Sequence, residues 1–154
     1  MSTATAVTNE ESNAAKSANI VSAATKWSAA AGFIPVPYLD LAGLAAVQVQ
    51  MVMDIAKLYG KSADKELVRG AVATLLGTMA PASLAAPGAG SCRKLGPGLG
   101  SLAGGASMGA LGAAATYAIG KVFTQHFEDG GSVASFDAEA AKGDAKQAFD
   151  SKAK

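Results

Sequence analysis

Three stretches of the chain carry residue types at spacings that could do chemistry, and each falls short of a site. Gly60-Lys61-Ser62 has the ending of a phosphate-binding loop. Such a loop needs a glycine five residues before Gly60, so that its amides can face phosphate oxygens, and that position holds Ile55. Gly120-Lys121 fails in the same way, with Ala115 upstream and Val122 in place of Ser or Thr. Gly98, Gly100 and Ala103 fit G-x-G-x-x-A, but no apolar strand precedes them, so they read as a turn that opens a helix. His126 is the only histidine and Cys92 the only cysteine. A metal centre or a catalytic triad needs more partners than these two residue types supply. His126 falls at the end of a helix, where it can favour the dipole. Cys92, beside Arg93 and Lys94, has neighbours that can activate a thiol, yet it reads more simply as a small packing residue at a hairpin tip. No catalytic residue, cofactor or metal is expected, and the chain is not read as an enzyme.

The more informative polar residues are Asp40, Gln48, Gln50 and Asp54. Inside lipid they would line a polar path. On a surface helix, together with Lys57, they form an ordinary wet face. The charges follow an amphipathic stripe, which favours the wet face. Trp27, Tyr38, Tyr59 and Tyr117 suit a bilayer interface and suit equally the few large anchors of an alanine-rich bundle.

These residues need helices to position them. Residues 1–10 read as a flexible polar tail, and Thr8-Asn9-Glu10-Glu11 matches a capping box. Ile20, Ala24, Trp27, Ala31 and Ile34 then step by 4, 3, 4 and 3, which is one face of a first helix. Pro35 and Pro37 end it in a tight corner. A second helix begins near Asp40. Leu41, Leu44, Gln48, Met51, Ile55 and Leu58 share one of its faces, and Gln50, Asp54, Lys57 and Lys61 share another. Asp54 and Lys57 are spaced for a weak ion pair, and Gly60 is placed to stop the helix. Asp64 opens a third helix with an acidic first turn. The fourth starts near Leu99, after Gly96-Pro97-Gly98, and ends before Gly130-Gly131. Along it Gly105, Gly109, Gly112, Ala113, Thr116 and Gly120 form a stripe of small residues, with Gly100 and Gly104 as a second pair. Such a stripe lets helices approach closely. In the last segment, 132–154, Asp137 is placed to cap a short helix, and Gly143 weakens it.

Composition sets the outer limits. The 154 residues include 36 alanines and 18 glycines, half are apolar, and 16% are charged, below the quarter or so of ordinary soluble domains. That excludes a disordered chain, and one cysteine excludes a disulfide scaffold. A net charge of +1 leaves no electrostatic footprint for nucleic acid. The N-terminus lacks a basic segment followed by an apolar one, so no cleaved secretory signal is expected. Gly70–Cys92 and Leu95–Gly120 are charge-free runs of 23 and 26 residues, each longer than the ~20 that suggest a membrane span. Lys57, Lys61, Lys65, Arg69 and Lys121 flank these runs, and the positive-inside rule places that side in the cytoplasm.

Two stretches carry a resemblance. Ile34-Pro35-Val36-Pro37 with Asp40, Gln48, Met51 and Leu58-Tyr59-Gly60 is similar to the first half of domain of unknown function 697. Ala115-Thr116-Tyr117-Ala118-Ile119-Gly120 with Phe123-Thr124-Gln125-His126-Phe127-Glu128-Asp129-Gly130-Gly131 is similar to its second half. Together they cover roughly residues 17–137. The resemblance implies a helical, membrane-associated bacterial domain. Some members are fused to, or encoded beside, Era-like GTPases, and others stand alone. It implies no activity and no catalytic residue.

The expectation is an all-α protein of two helical hairpins, about four helices. The helical domain spans 11–131, with the second, glycine- and alanine-rich hairpin membrane-embedded, and 132–154 forms a polar tail, mobile or surface-docked. Gly100, Gly104, Gly105, Gly109, Gly112, Ala113, Thr116 and Gly120 are expected to pack helices between copies of the chain. Pro35, Pro37 and Asp40 form the hairpin corner. Gln48, Gln50, Asp54 and Lys57 are the candidate polar face, and His126, Phe127, Gly130 and Gly131 close the motif. Expected partners are membrane lipid, a second copy, and a cytoplasmic GTPase or other protein. The expected place is a bacterial inner membrane with cytoplasmic termini. The function so read is a membrane-associated scaffold. Its rivals are an oligomeric channel with a polar path near Asp40, Gln48 and Asp54, and a soluble helical assembly.

Overall fold

A computed structural model describes the backbone of residues 2–31, 39–79 and 99–153, and the side chains of 13–30, 43–79 and 109–153. Five α-helices and one 3-10 turn account for the described chain, with no strand among these residues: α1 Ser2–Ala31, α2 Leu39–Leu58, α3 Lys65–Met79, α4 Leu99–Glu128, the turn Val133–Ser135, and α5 Lys142–Ala153. The corner at Pro35 and Pro37, and the segment holding Cys92, Arg93 and Lys94, lie outside the described residues.

The chain's punctuation is visible in these bounds. Gly60 takes φ +65 and Gly130 φ +85, the left-handed region that glycine enters without steric cost. Each closes its helix by the same pair of bonds. Lys61 N–H donates to the Ala56 carbonyl at 2.8 Å and Gly60 N–H to Lys57 at 3.0 Å. Gly131 N–H donates to His126 at 2.9 Å and Gly130 N–H to Phe127 at 3.1 Å. Both are Schellman endings. Asp64 opens α3 by accepting from the backbone N–H groups of Glu66 and Leu67, at 2.8 and 3.1 Å. Asp40 falls in the first turn of α2. At the other end of the chain α1 is helical from Ser2, so Thr8 stands inside the helix rather than at its cap.

The packing differs from two separate hairpins. α1 and α2 do pair, but α4 packs chiefly along α1 and α5, touches α2, and meets α3 only slightly. α3 buries Val68, Val72, Leu75 and Met79, a ridge at steps of 4, 3 and 4, and lays it against α2 and α5. The segment 132–154 is docked. Ala145, Ala148 and Phe149 of α5 are buried in the common core, and Asp137 accepts from the N–H groups of Glu139 and Ala140 in the turn before it.

The buried face of α1 differs from the face that the apolar spacing picks out. Ser17, Val21, Ala24 and Ser28 are buried, whereas Trp27 is 71% exposed. The surface that α1 meets explains the difference. A partner helix lined with glycine comes close to the small Ser17, Val21, Ala24 and Ser28, and the bulky indole is turned outward. None of the helices, among the described residues, is long and apolar enough to cross a membrane.

Candidate functional site

From Gly109 to Gly120 the small-residue stripe of α4 lies against the chain's own α1 and α2. A β-carbon placed on Gly109 would stand 2.8 Å from the backbone oxygen of Ala29. On Gly112 it would rest against Leu44 and the Ser28 carbonyl at 3.5–3.7 Å. On Gly120 it would collide with both Val21 methyls, at 2.5 and 2.9 Å, and approach the Met51 sulfur at 3.2 Å. Gly109 facing Ala29 and Gly120 facing Val21 make the two helices antiparallel. Within the described chain Gly109, Gly112, Thr116 and Gly120 thus face α1 and α2. Ala113 is half-buried beside them. Gly100, Gly104 and Gly105 belong to the described helix, but their surroundings lie outside the described side chains.

Where the seam meets α2 there is a polar node. Thr116 is fully buried, and its hydroxyl donates to the Gly112 carbonyl one turn back at 2.9 Å. That uses its only proton, so its lone pairs accept from the Ser28 hydroxyl at 2.8 Å and the Gln48 amide at 3.1 Å. One threonine thus ties three helices together. The Gln48 carbonyl oxygen is buried without a hydrogen-bond partner, an unfavourable state for an amide in an apolar core. Spacing alone found Gln48 on the apolar face of α2. Ser28 went unread, although Ser17, Val21, Ala24 and Ser28 show the same 4, 3, 4 step as the apolar face.

The candidate polar face divides. Gln48 points inward, while Gln50, Asp54 and Lys57 lie outward. The Gln50 amide and the Lys57 ammonium both donate to Asp54 Oδ1, at 2.9 and 3.4 Å. The expected Asp54–Lys57 pair is present, but both partners are solvated, at 42% and 67% exposure, and such pairs contribute little. Gln48 and Asp54 are not brought together, and the side chain of Asp40 lies outside the described residues.

The closing motif forms a lock at the base of the bundle. His126 Nε2 lies 2.9 Å from the Ser132 carbonyl, and its ring meets Phe136 edge-on at 5.1 Å. The imidazole lies directly over Gly131, where any β-carbon would displace it. Gly130 is needed for its backbone angle and Gly131 for its missing side chain. Phe127 is buried and tilts against Phe123 and Tyr59, and Phe123 stacks on Phe136 at 4.1 Å. Tyr59 donates to Glu128 at 3.0 Å, and Lys61 to the Gly130 carbonyl at 2.9 Å, fastening the α2–α3 turn to the end of α4. His126 is thereby engaged in packing. No three metal-ligating side chains converge among the described residues.

Comparison with known proteins agrees with this reading of the motifs. The family described as Domain of unknown function (DUF697) matches residues 2–153. The chain is 36% identical over 121 residues to Magnetosome membrane protein 22 of Magnetospirillum gryphiswaldense. The aligned part is 79% of this chain and 62% of that relative, so the chain spans under two thirds of the relative's length. No solved structure matches.

Proposed function

The chain belongs to the DUF697 family, and on that premise we propose that it is a non-enzymatic, membrane-associated scaffold. The observation that carries this reading is the likeness to a protein named for a membrane, over 79% of this chain. In this reading the α1–α4 seam and the Thr116 node hold a rigid bundle, and the outward face of Gln50, Asp54 and Lys57 is offered to a cytoplasmic protein, a GTPase among the candidates. The membrane is a bacterial inner membrane, with the termini on its cytoplasmic side. Self-association through Gly100, Gly104 and Gly105 is part of the proposal. Gly104→Leu should then abolish chemical cross-linking between copies and leave membrane association intact.

Fractionation without detergent, followed by an alkaline carbonate wash, tests the proposal. Retention in the washed membranes is the expected result. Recovery of the whole population as a discrete soluble particle would overturn it and make subunit packing the function to explain.

A further inference from the structure

The face where α1 and α4 run side by side, flanked by the last turn of α5, holds a groove of about 700 Å³. That is within the ~300–1,000 Å³ typical of sites for small ligands. Its apolar lining is formed by Ala14, Ala18 and Val21 with the ring of Tyr117. Its rim carries Lys26, Lys121 and Lys152, one from each helix. None of the three has an ion pair among the described residues. The Lys152 ammonium instead sits 5.1 Å above the Tyr117 ring, an arrangement that holds a cation in place without neutralising it. The lining acids, Glu128 and Asp129, lie toward the opposite end by the antiparallel register, and Glu128 already accepts from Tyr59.

A second observation marks the same groove. Threonines in helices commonly return their hydroxyl to the carbonyl one turn back, as Thr78 and Thr116 do here. Thr25 and Thr124, on the two walls, do not. Both hydroxyl oxygens are buried and without a partner. Beside Lys26, the exposed Trp27 adds a side chain that favours the headgroup layer of a bilayer.

We propose that this groove seats a single anionic phospholipid. The phosphate lies among Lys26, Lys121 and Lys152, and an acyl chain lies along Ala14, Ala18 and Val21. The inference rests on the membrane-associated reading and names the lipid chemistry that reading requires.

The test is a calorimetric titration of the purified chain with dioctanoyl phosphatidylglycerol below its micelle concentration. Dioctanoyl phosphatidylcholine and glycerol phosphate serve as the neutral lipid and the free phosphate. The expected result is saturable binding of one phosphatidylglycerol per chain, at least tenfold tighter than either comparison compound. Lys121→Gln with Lys152→Gln should weaken it tenfold or more. So should Ala18→Phe, which crowds the apolar lining from an exposed position and keeps the wild-type thermal melt. Equal binding of glycerol phosphate would replace the lipid by a phosphate site. Unchanged affinity in Ala18→Phe would reduce the effect to surface charge. Either result, or no saturable binding, overturns the proposal. Carbonate fractionation separates the two readings. A chain retained in membranes that fails to bind the lipid sinks the groove alone, and a soluble chain that binds it sinks the membrane reading alone.

Discussion

Two stretches of α4 are held by opposite means. Near Gly109–Gly120 the helix is held by what is missing, since the absent side chains admit the Ala29 backbone at Gly109 and the Val21 methyls at Gly120. Near Phe123–Phe127 it is held by bulk, with Phe123, Phe127, Phe136, Tyr59 and the His126 ring filling one aromatic cluster. Close approach of helices gains dispersion over many weak contacts, whereas buried rings gain by removing large apolar areas from water. The seam should therefore fail when atoms are added, and the base when atoms are removed.

The largest expected effect is at the base. Phe127→Ala should lower unfolding free energy by about 3–5 kcal/mol, read as a fall in the denaturant midpoint. At the seam, Gly120→Ala adds one methyl against Val21 and should cost about 1–3 kcal/mol despite the better helix propensity of alanine. Gly77→Ala in α3 sharpens the contrast. Its added β-carbon meets nothing within 4 Å, so the same substitution should there stabilise, by up to about 1 kcal/mol. At the node, Thr116→Val leaves the Ser28 hydroxyl and Gln48 amide unpaired and should cost about 1–3 kcal/mol. Gln48→Leu, which removes an already unpaired oxygen, should cost distinctly less in the same melt. The smallest effect is outside both regions, with Asp54→Ala within about 0.5 kcal/mol.

What could be read in the sequence follows the same division. Local signals were legible. Gly60 and Gly130-Gly131 end helices, Asp64 opens α3, and Asp54 pairs with Lys57, because each depends on residues within one turn. The small-residue stripe was legible as a packing face, but not its partner, because a glycine surface does not state which helix will lie on it. The buried face of α1 was not legible for a related reason. Hydrophobicity favours burying Trp27, and only the shape of α4 reverses that choice in favour of Ser17 and Ser28. The C-terminal segment looked like a tail because α5 carries few apolar residues. Three of them, Ala145, Ala148 and Phe149, suffice to dock it. The groove lysines had no sequence signature, since Lys26, Lys121 and Lys152 come together only once three helices are packed.

The central structural claim is that the stripe from Gly109 to Gly120 is consumed within one chain. Its most direct test is a pair of cysteines at Ser28 and Thr116, whose hydroxyl oxygens lie 2.8 Å apart, introduced with Cys92→Ser. On mild oxidation the protein should run on a non-reducing gel as a faster-moving monomer, closed by an internal disulfide. Disulfide-linked dimers in place of that band would show the seam to lie between copies and contradict the account.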